Sequence, residues 1–321
     1  QENGWDLSGI DKWGVNISID EYEKTIPEEF DDDVPDVSDS AITMSGDVWE
    51  INNHRLICGD STKAETYQRL MGDKKASMIF TDPPYNLPAD KIGNKGKKKH
   101  RDFITASGEM TIEEFTEFLR KVFINLVSIS VNGSIHFICM DWRHVMEVLN
   151  ASHDVYSQFK NLIVWNKNIA GMGSFYNNKH ELIFAFKNGE EKHIKNFGFG
   201  ERSNVWDYPS ANSLVRKDSD DKGMLKNHPT PKPVQLVSDA IVDCSTIKDI
   251  IVDGFLGSGT TLISSEKTDR ICYGVEMDPL YCDLIIRRYF MYAKKKGFGV
   301  VLKRNGQSVE FDSLFRPLVI V

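Results

Sequence analysis

The sequence predicts an α/β protein of the doubly wound type, in which a mostly parallel sheet carries helices on both faces. Short apolar runs rich in Ile, Val and Phe alternate with helix-like segments from Trp49 to about residue 295. Several runs are apolar at consecutive positions, as strands covered on both faces are. Such alternation is typical of a doubly wound sheet. Seven runs qualify as strands: Arg55–Gly59, Ser77–Thr81, Ser134–Met140, Leu162–Asn166, Glu181–Phe186, Asp249–Asp253 and Ile271–Glu276.

Two of the intervening helices have clear start signals. Thr111 and Glu114 match a capping box, and the residues after them form an apolar stripe with helical spacing. Asp278 and Pro279 supply an N-cap and a first-turn proline for a closing helix that extends to about Lys295. The stripe of the first helix consists of Ile112, Phe115, Leu119, Val122, Phe123 and Leu126.

Charge is distributed unevenly along the 321 residues, whose net charge is −8. Residues 1–50 contain 15 acidic and 2 basic side chains, so the remainder carries a net charge of +5, which is compatible with a polyanionic partner. We therefore divide the chain into an acidic, weakly ordered arm (1–47), an α/β domain (48–296) and a C-terminal extension (297–321). Residues 187–227 mix glycines, aromatics and charges without a period, and such long irregular stretches are usually functional.

The five cysteines are scattered, odd in number and mostly set in apolar runs. This pattern favours buried thiols in a reducing cytoplasm over disulfides or a zinc site. No window holds eighteen consecutive apolar residues, so we expect no transmembrane helix. The chain begins at Gln1 without Met or a secretory leader, which suggests a processed chain or a fragment of a longer one.

A proline turn with a carboxylate follows the second predicted strand, in the segment Asp82-Pro83-Pro84-Tyr85. The prolines end the strand and hold the chain extended at its carboxyl end, where ligands bind in open α/β sheets. The Asp82 carboxylate and the Pro83 carbonyl can accept the two hydrogens of a base's exocyclic amine, and Tyr85 can stack on a base swung out of a duplex. The alternative is a strand-ending turn with no chemical role.

A glycine-rich turn follows the sixth predicted strand, in Asp253-Gly254-Phe255-Leu256-Gly257-Ser258-Gly259-Thr260. Glycines let a ligand approach the backbone, and the helix that begins near Thr260 offers free N–H donors. It is not a phosphate-binding loop, because no Gly-Lys-Ser/Thr follows. Glu276 ends the next strand and is suited to bind ribose hydroxyls. This pair fits an adenosine cofactor, and a nicotinamide dinucleotide is the alternative.

Together these motifs resemble the amino-methyltransferases of DNA, with the order of motifs found in the beta group, over roughly Trp49–Lys295. The resemblance implies a class I methyltransferase fold, Rossmann-like, with a seven-stranded sheet whose last strand is antiparallel. It also implies S-adenosylmethionine as cofactor and no metal. Two further segments match the family: one beginning at His228, whose Thr230 and Lys232 grip the methionine part of the cofactor, and one whose Asp60 reaches the adenine amine. The remaining cofactor-binding positions implied are Asp82, Asp253, Phe255, Gly257, Ser258, Gly259, Thr260 and Glu276.

The resemblance implies double-stranded DNA as substrate and places target recognition in residues 187–227. A basic segment at 91–101 lies directly after the proline turn and is able to pair with phosphates. A solvated charge run and an ordinary long loop are the alternatives for these two segments. The candidate DNA-binding residues are Lys95, Lys97, Lys98, Lys99, Arg101, Arg202, Trp206 and Arg216.

Within the family, Asp at the first position of the proline motif is typical of enzymes that act on adenine N6. We therefore expect site-specific methylation of adenine N6 in a flipped base, with cytosine N4 as the alternative. Cytosine C5 is excluded because no cysteine follows a proline. An RNA or protein-amide methyltransferase and an inactive DNA-binding protein also stay open. The acidic arm is similar to linkers of phage and prophage methyltransferases that carry an upstream domain, and many beta-group members form homodimers.

Overall fold

One mixed sheet runs through the part of the chain that the computed structural model describes, residues 23–28, 30–87, 106–171, 175–196, 202–210 and 231–315. These residues contain eleven strands, arranged in the order β11-β10-β1-β2-β9-β8-β3-β4-β6-β5-β7. The strands are β1 (Val48–Ile51), β2 (His54–Cys58), β3 (Ala76–Thr81), β4 (Ser130–Met140), β5 (Gln158–Gly171), β6 (Asn178–Lys187), β7 (Val205–Asp207), β8 (Ile250–Asp253), β9 (Ile271–Glu276), β10 (Leu302–Arg304) and β11 (Gln307–Ser308).

Seven α-helices accompany the sheet within the described residues, and the two predicted start signals are confirmed. The Thr111 side chain and the Glu114 side chain form a reciprocal capping box, and Asp278 accepts a hydrogen bond from the Leu280 amide. Of the predicted stripe, only Ile112 is exposed. The helices are α1 (Ala64–Met71), α2 (Ile112–Ser128), α3 (Val145–Ser152), α4 (Val234–Cys244), α5 (Thr260–Lys267), α6 (Pro279–Lys296) and α7 (Phe311–Leu314).

The centre of the sheet is parallel, as predicted. Strands β2, β9, β8, β3 and β4 pair in parallel, and β6 lies antiparallel to both β4 and β5. All seven predicted strands are confirmed, with end positions that differ by up to five residues. Strands β8 and β3 are neighbours although they are far apart in the sequence, and the order of strands reverses between them. The crevice at their carboxyl ends is therefore the place where this fold binds ligands.

Helices cover both faces of the sheet, because strand residues alternate between two cores. On β3, Ile79 faces a core shared with α1, α2 and α3, whereas Met78 and Phe80 face the core that contains α4. A third cluster lies under α5 and α6 and includes Trp49 of β1. This burial on both faces explains why the central strands have almost continuous apolar sequences.

Four strands were not predicted, and all of them extend the sheet at its edges. β1 pairs with β2 and β10, so the predicted C-terminal extension adds strands to the sheet. β7 pairs in parallel with β5 and lies inside the segment expected to be irregular. Each of these strands has two to four residues, which is too short to produce a visible alternation of apolar and polar positions.

The acidic arm packs on the domain over residues 30–47, contrary to the expected weak order. Asp32 accepts a hydrogen bond from the Val234 amide at 2.9 Å and so caps the start of α4. Asp31 forms a buried ion pair with Lys267. Asp283, which is fully buried in α6, accepts the Ile42 amide at 2.6 Å, the Thr43 amide at 3.0 Å and the Thr43 hydroxyl at 2.5 Å.

The five cysteines are all buried, as predicted, and their thiols are free. The helices in the described ranges include none with the length and apolar character needed to cross a membrane.

Asp283 tests how firmly the arm is attached. Removing its carboxylate leaves two backbone amides and a hydroxyl without their acceptor, and each unsatisfied buried group costs about 1–3 kcal/mol. We expect Asp283→Ala to lower the free energy of unfolding by about 2–4 kcal/mol in urea denaturation. The exposed Asp39 provides the matched control, since Asp39→Ala should change it by less than about 0.5 kcal/mol. Equal stability of the two variants would mean that the arm is not held by this residue.

Candidate active site

A direct hydrogen bond joins the carboxyl ends of the two central strands. Thr81 ends β3, and its hydroxyl donates to Asp253 at the end of β8 over 2.8 Å. The same hydroxyl oxygen accepts the Gly254 amide at 3.1 Å. The proline turn after β3 and the glycine-rich turn after β8 are therefore held side by side.

Asp253 is almost fully buried and organises the glycine-rich turn. Its carboxylate also accepts the Thr261 hydroxyl at 2.6 Å and the Phe255 amide at 2.9 Å. Burial raises the pKa of Asp253 to about 6, although these three donors act in the opposite direction. The carboxylate thus ties the start of α5 and the turn to β3, so that the structure gives Asp253 a supporting role.

Glu276 forms the other side of the glycine-rich turn. One of its oxygens accepts the Gly257 amide and the other accepts the Asp278 amide, each at 2.8 Å. Gly257 has φ +51°, and a Cβ atom there would meet nothing closer than 3.8 Å. Gly257 thus needs glycine for its backbone conformation, and the open space beside it leaves room for a ligand. Burial raises the pKa of Glu276 to about 7.

The predicted cofactor residues fall into two groups by exposure. Ser258, Gly259 and Thr260 are buried, like Asp253, whereas Phe255, Gly257, Glu276 and Asp60 are partly exposed. The Asp60 carboxylate accepts the Thr62 amide and hydroxyl, both at 2.8 Å, which fixes it at the end of β2 beside β9. The partly exposed residues are the ones that can touch an adenosine ligand. Thr230 lies outside the described residues.

A buried arginine, which sequence analysis did not identify, supports the glycine-rich turn. Arg288 of α6 donates to the Ser258 carbonyl at 3.0 Å and to the Thr260 hydroxyl at 3.2 Å. Its other terminal nitrogen donates to the Asp31 carbonyl at 3.0 Å. Burial lowers the pKa of Arg288 to about 10, so that it is charged at neutral pH. The acidic arm is therefore connected to the turn through one side chain.

The proline turn places Asp82 and Tyr85 together at the end of β3. The Tyr85 hydroxyl donates to Asp82 at 2.6 Å. Asn86 follows with φ +49° and anchors the chain, because its side-chain oxygen accepts the Gly108 and Met110 amides at 3.0 and 3.2 Å. Pro83 is buried, whereas Asp82, Pro84 and Tyr85 are partly exposed. The predicted carboxylate and aromatic ring thus lie next to each other at the crevice.

Lys232 joins this cluster from 150 residues away. Its ammonium group lies 2.5 Å from Asp82 and 3.0 Å from Glu181. It also donates to the Tyr85 hydroxyl at 3.1 Å. Lys232 was predicted to bind the cofactor. In the structure its ammonium group contacts Asp82, the carboxylate predicted to bind the target amine. Glu181 was not identified as a site residue, since its only sequence signal is an acid at the start of an otherwise apolar strand.

Two of the candidate DNA-binding residues make their described contacts within the protein. Arg202 forms ion pairs with Asp239 at 2.8 Å and Asp243 at 2.7 Å in α4. Trp206 of β7 is buried against Phe137, with 6.0 Å between ring centroids. Both side chains thus contact other parts of the protein in the structure, and their contact with DNA stays a prediction. Lys95, Lys97, Lys98, Lys99, Arg101 and Arg216 lie outside the described residues.

Comparisons with known proteins identify a family for this chain. The family model for N6 and N4 methyltransferases, described as DNA methylase, matches residues 76–287. The type II methyltransferase M2.MboI of Moraxella bovis is 28% identical over 242 residues, which cover 68% of this chain and 81% of that protein. The type II methyltransferase M.HpaI of Haemophilus parainfluenzae is 24% identical over 259 residues, 74% of each chain.

Solved structures share the fold. The PvuII DNA methyltransferase, named as cytosine-N4-specific, superposes with a TM-score of 0.56 at 16% identity and covers 74% of this chain and 86% of its own. The complex of M1.HpyAVI with SAM has a TM-score of 0.51 at 18% identity and covers 73% and 97%. The predicted class I methyltransferase fold is therefore confirmed, although the described residues form a sheet of eleven strands and not the seven expected.

Glu276 makes the stability of the fold depend on pH. Its pKa of about 7 exceeds its ordinary value of 4.5, so the folded chain retains a proton that the unfolded chain releases. Its contribution to stability is fully present below pH 4.5 and is lost as the pH rises through 7. Between these values we expect the unfolding free energy of the wild type to fall by about 1–3 kcal/mol relative to Glu276→Gln in urea titrations. The exposed Glu117→Gln should follow the wild type, and parallel curves for Glu276→Gln and the wild type would contradict the assignment.

Proposed function

This chain belongs to the N6/N4 DNA methylase family, and on that premise we propose that it transfers a methyl group from S-adenosylmethionine to adenine N6 of a flipped base in double-stranded DNA. The observation that carries the proposal is the Thr81–Asp253 hydrogen bond. It holds the amine-binding carboxylate of Asp82 beside the turn that would hold the cofactor. Reaction between two bound partners is accelerated chiefly by such fixed proximity and alignment.

The residues around the glycine-rich turn fit the cofactor. The open space at Gly257 and the two partly exposed carboxylates Glu276 and Asp60 suit a ligand with a ribose diol and an adenine amine. Bound there, S-adenosylmethionine supplies an electrophilic methyl group on a sulfonium. Phe255 is also partly exposed, next to Phe118, and offers an apolar surface to the ligand. The buried Ser258 and Thr260 act by shaping the turn.

Asp82 and the Pro83 carbonyl orient the target amine. The nitrogen lone pair of an exocyclic amine is conjugated with the base, which makes it a weak nucleophile. Hydrogen bonds from both amine hydrogens to fixed acceptors favour the tetrahedral nitrogen that can attack. Tyr85 is held by its hydroxyl bond to Asp82, so its ring is fixed for stacking on a flipped base.

The charges in the cluster limit where the amine proton can go after transfer. The nearby lysines, Lys232 and Lys167, hold the pKa of Glu181 at about 2 despite its burial. Burial lowers the pKa of Lys232, but Asp82 and Glu181 outweigh this and raise it, so Lys232 is already protonated. Neither residue can act as a base at neutral pH. The proton therefore passes to Asp82 or to water.

The target base follows from the motif type, since an aspartate at the first position of the proline turn favours adenine N6. The similarity to a cytosine-N4-specific enzyme is at the level of fold and does not oppose this. A DNA duplex also suits the net charge of residues 51–321, which is +5. We further propose that the residues between β6 and α4 contribute to sequence recognition.

The test is tritiated-methyl transfer from S-adenosylmethionine to unmethylated plasmid and genomic DNA, followed by digestion to nucleosides and separation by mass. We expect N6-methyl-2′-deoxyadenosine from the wild type. Asp82→Asn should transfer about 10²–10³-fold more slowly, because it loses the charge and places an amide donor opposite the amine. Asp154→Asn is the matched control, since Asp154 is exposed and pairs only with His153 and Arg120 in the described residues.

The outcomes separate the parts of the proposal. N4-methylcytosine in the product would overturn the choice of adenine and retain the reaction class. Methyl incorporation into RNA or protein and not into DNA would replace the substrate. Equal rates for Asp82→Asn and the wild type would overturn the role of Asp82.

A further inference from the structure

Asp82 is already occupied on both oxygens in the structure. One oxygen accepts the Tyr85 hydroxyl at 2.6 Å and the other accepts the Lys232 ammonium at 2.5 Å. Each oxygen can accept a second hydrogen bond, but a target amine would share the charge of the carboxylate with these two donors. A second acceptor that takes over the Tyr85 and Lys232 hydrogen bonds would leave the charge of Asp82 to the amine.

Glu181 on β6 is in the right place to be that acceptor. One of its oxygens lies 3.1 Å from the Tyr85 hydroxyl and 3.0 Å from the Lys232 ammonium. Tyr85 has a single hydroxyl hydrogen, so it can donate to Asp82 or to Glu181 but not fully to both. Lys232 has three hydrogens and can shift toward Glu181 without leaving the cluster. Both donors on Asp82 therefore have the same alternative partner.

The surroundings keep Glu181 negatively charged and fixed. Its second oxygen accepts the Lys167 ammonium, and Lys167 lies over the Trp165 ring at 4.9 Å. Lys232 lies over the same ring at 5.8 Å and over the Tyr85 ring at 5.4 Å. The side chains of Glu181 and Lys232 are only 11% and 7% exposed. Water is therefore a poor substitute for Glu181 as an acceptor at this position.

We propose that Glu181 is a positioning residue that accepts the Tyr85 hydroxyl and the Lys232 ammonium when the target amine binds Asp82. The proposal rests on the proposed function. Without Glu181, Tyr85 and Lys232 would keep only Asp82 as a carboxylate partner among the described residues, and the positive charge of Lys232 would act on Asp82 alone. This would weaken the hydrogen bonds to the amine and oppose the positive charge that its nitrogen gains during attack.

Single-turnover methyl transfer at saturating DNA and S-adenosylmethionine tests the proposal, since this rate excludes product release. We expect Glu181→Gln to lower it about 10–100-fold while the Kd for S-adenosylmethionine, measured by calorimetry, stays within about twofold. Glu181→Asp keeps the charge and should recover part of the rate. Glu266→Gln is the matched control, since Glu266 also accepts a tyrosine hydroxyl, that of Tyr289 at 2.6 Å, and a basic side chain, His54.

A double variant distinguishes positioning from a packing role. If Glu181 acts by drawing Lys232 away from Asp82, its removal should cost less once Lys232 is gone. We expect Glu181→Gln to change the rate less than threefold in a Lys232→Met background, measured against Lys232→Met alone. Equal losses in the two backgrounds would overturn the coupling and with it the proposal.

Failure of the proposed function would look different. If the wild type transfers no methyl group to DNA, the function itself is wrong. If the wild type transfers and Glu181→Gln keeps its full rate, only the role of Glu181 is wrong. If the thermal transition shows that Glu181→Gln does not fold, Glu181→Asp and Lys232→Met are compared with the wild type instead. Rates equal to the wild-type rate in both variants would then overturn the proposal.

Discussion

The fold depends on one buried carboxylate at the point where two parallel strands end. Asp253 accepts hydrogen bonds from Thr81 on the neighbouring strand, from Thr261 at the start of α5 and from the backbone of its own turn. A buried carboxylate with fewer donors would be too costly to keep ionised. Its three donors therefore constrain three segments at once, and the glycine-rich turn and the proline turn are fixed relative to each other. Asp253 was predicted from the sequence to bind the cofactor, and in the structure its carboxylate binds groups of the protein.

Residues of the acidic arm also hold the helices beside the site in place. Asp32 caps α4, the helix that begins two residues after Lys232, and Asp31 pairs with Lys267 at the end of α5. Arg288 then connects the arm to the glycine-rich turn. Part of the negative charge that distinguishes the first fifty residues is thus neutralised by basic groups of the domain. Asp31 and Asp32 therefore contact the helix that follows Lys232, the helix that follows the glycine-rich turn, and Arg288 beside that turn. Their charge need not repel a polyanion.

Much of the fold was predictable because its signals are local. The apolar runs, the Thr111 capping box and the Asp278 cap each lie within a few residues, and the proline and glycine turns adjoin their strands. The edge strands were missed because they are too short to show a period. The Lys232–Asp82 and Glu181 contacts were missed for another reason. These residues come from β6, the end of β3 and the start of α4, and only the pairing of strands brings them together.

The balance of charge in that cluster matters for a DNA substrate. Asp82 and Glu181 alone would place two negative charges where a phosphate-bearing strand has to approach, and the low exposure of Glu181 would make their repulsion strong. Lys167 and Lys232 carry two positive charges that balance those of the two carboxylates. Lys167 is hydrogen-bonded to Glu181, and Lys232 lies at hydrogen-bond distance from both carboxylates. The site can then present negative oxygen atoms to an amine over a few ångströms and remain electrically neutral to the backbone farther away. Under the proposed function, attraction of the duplex is left to basic groups elsewhere on the chain, and orientation of the amine is left to Asp82.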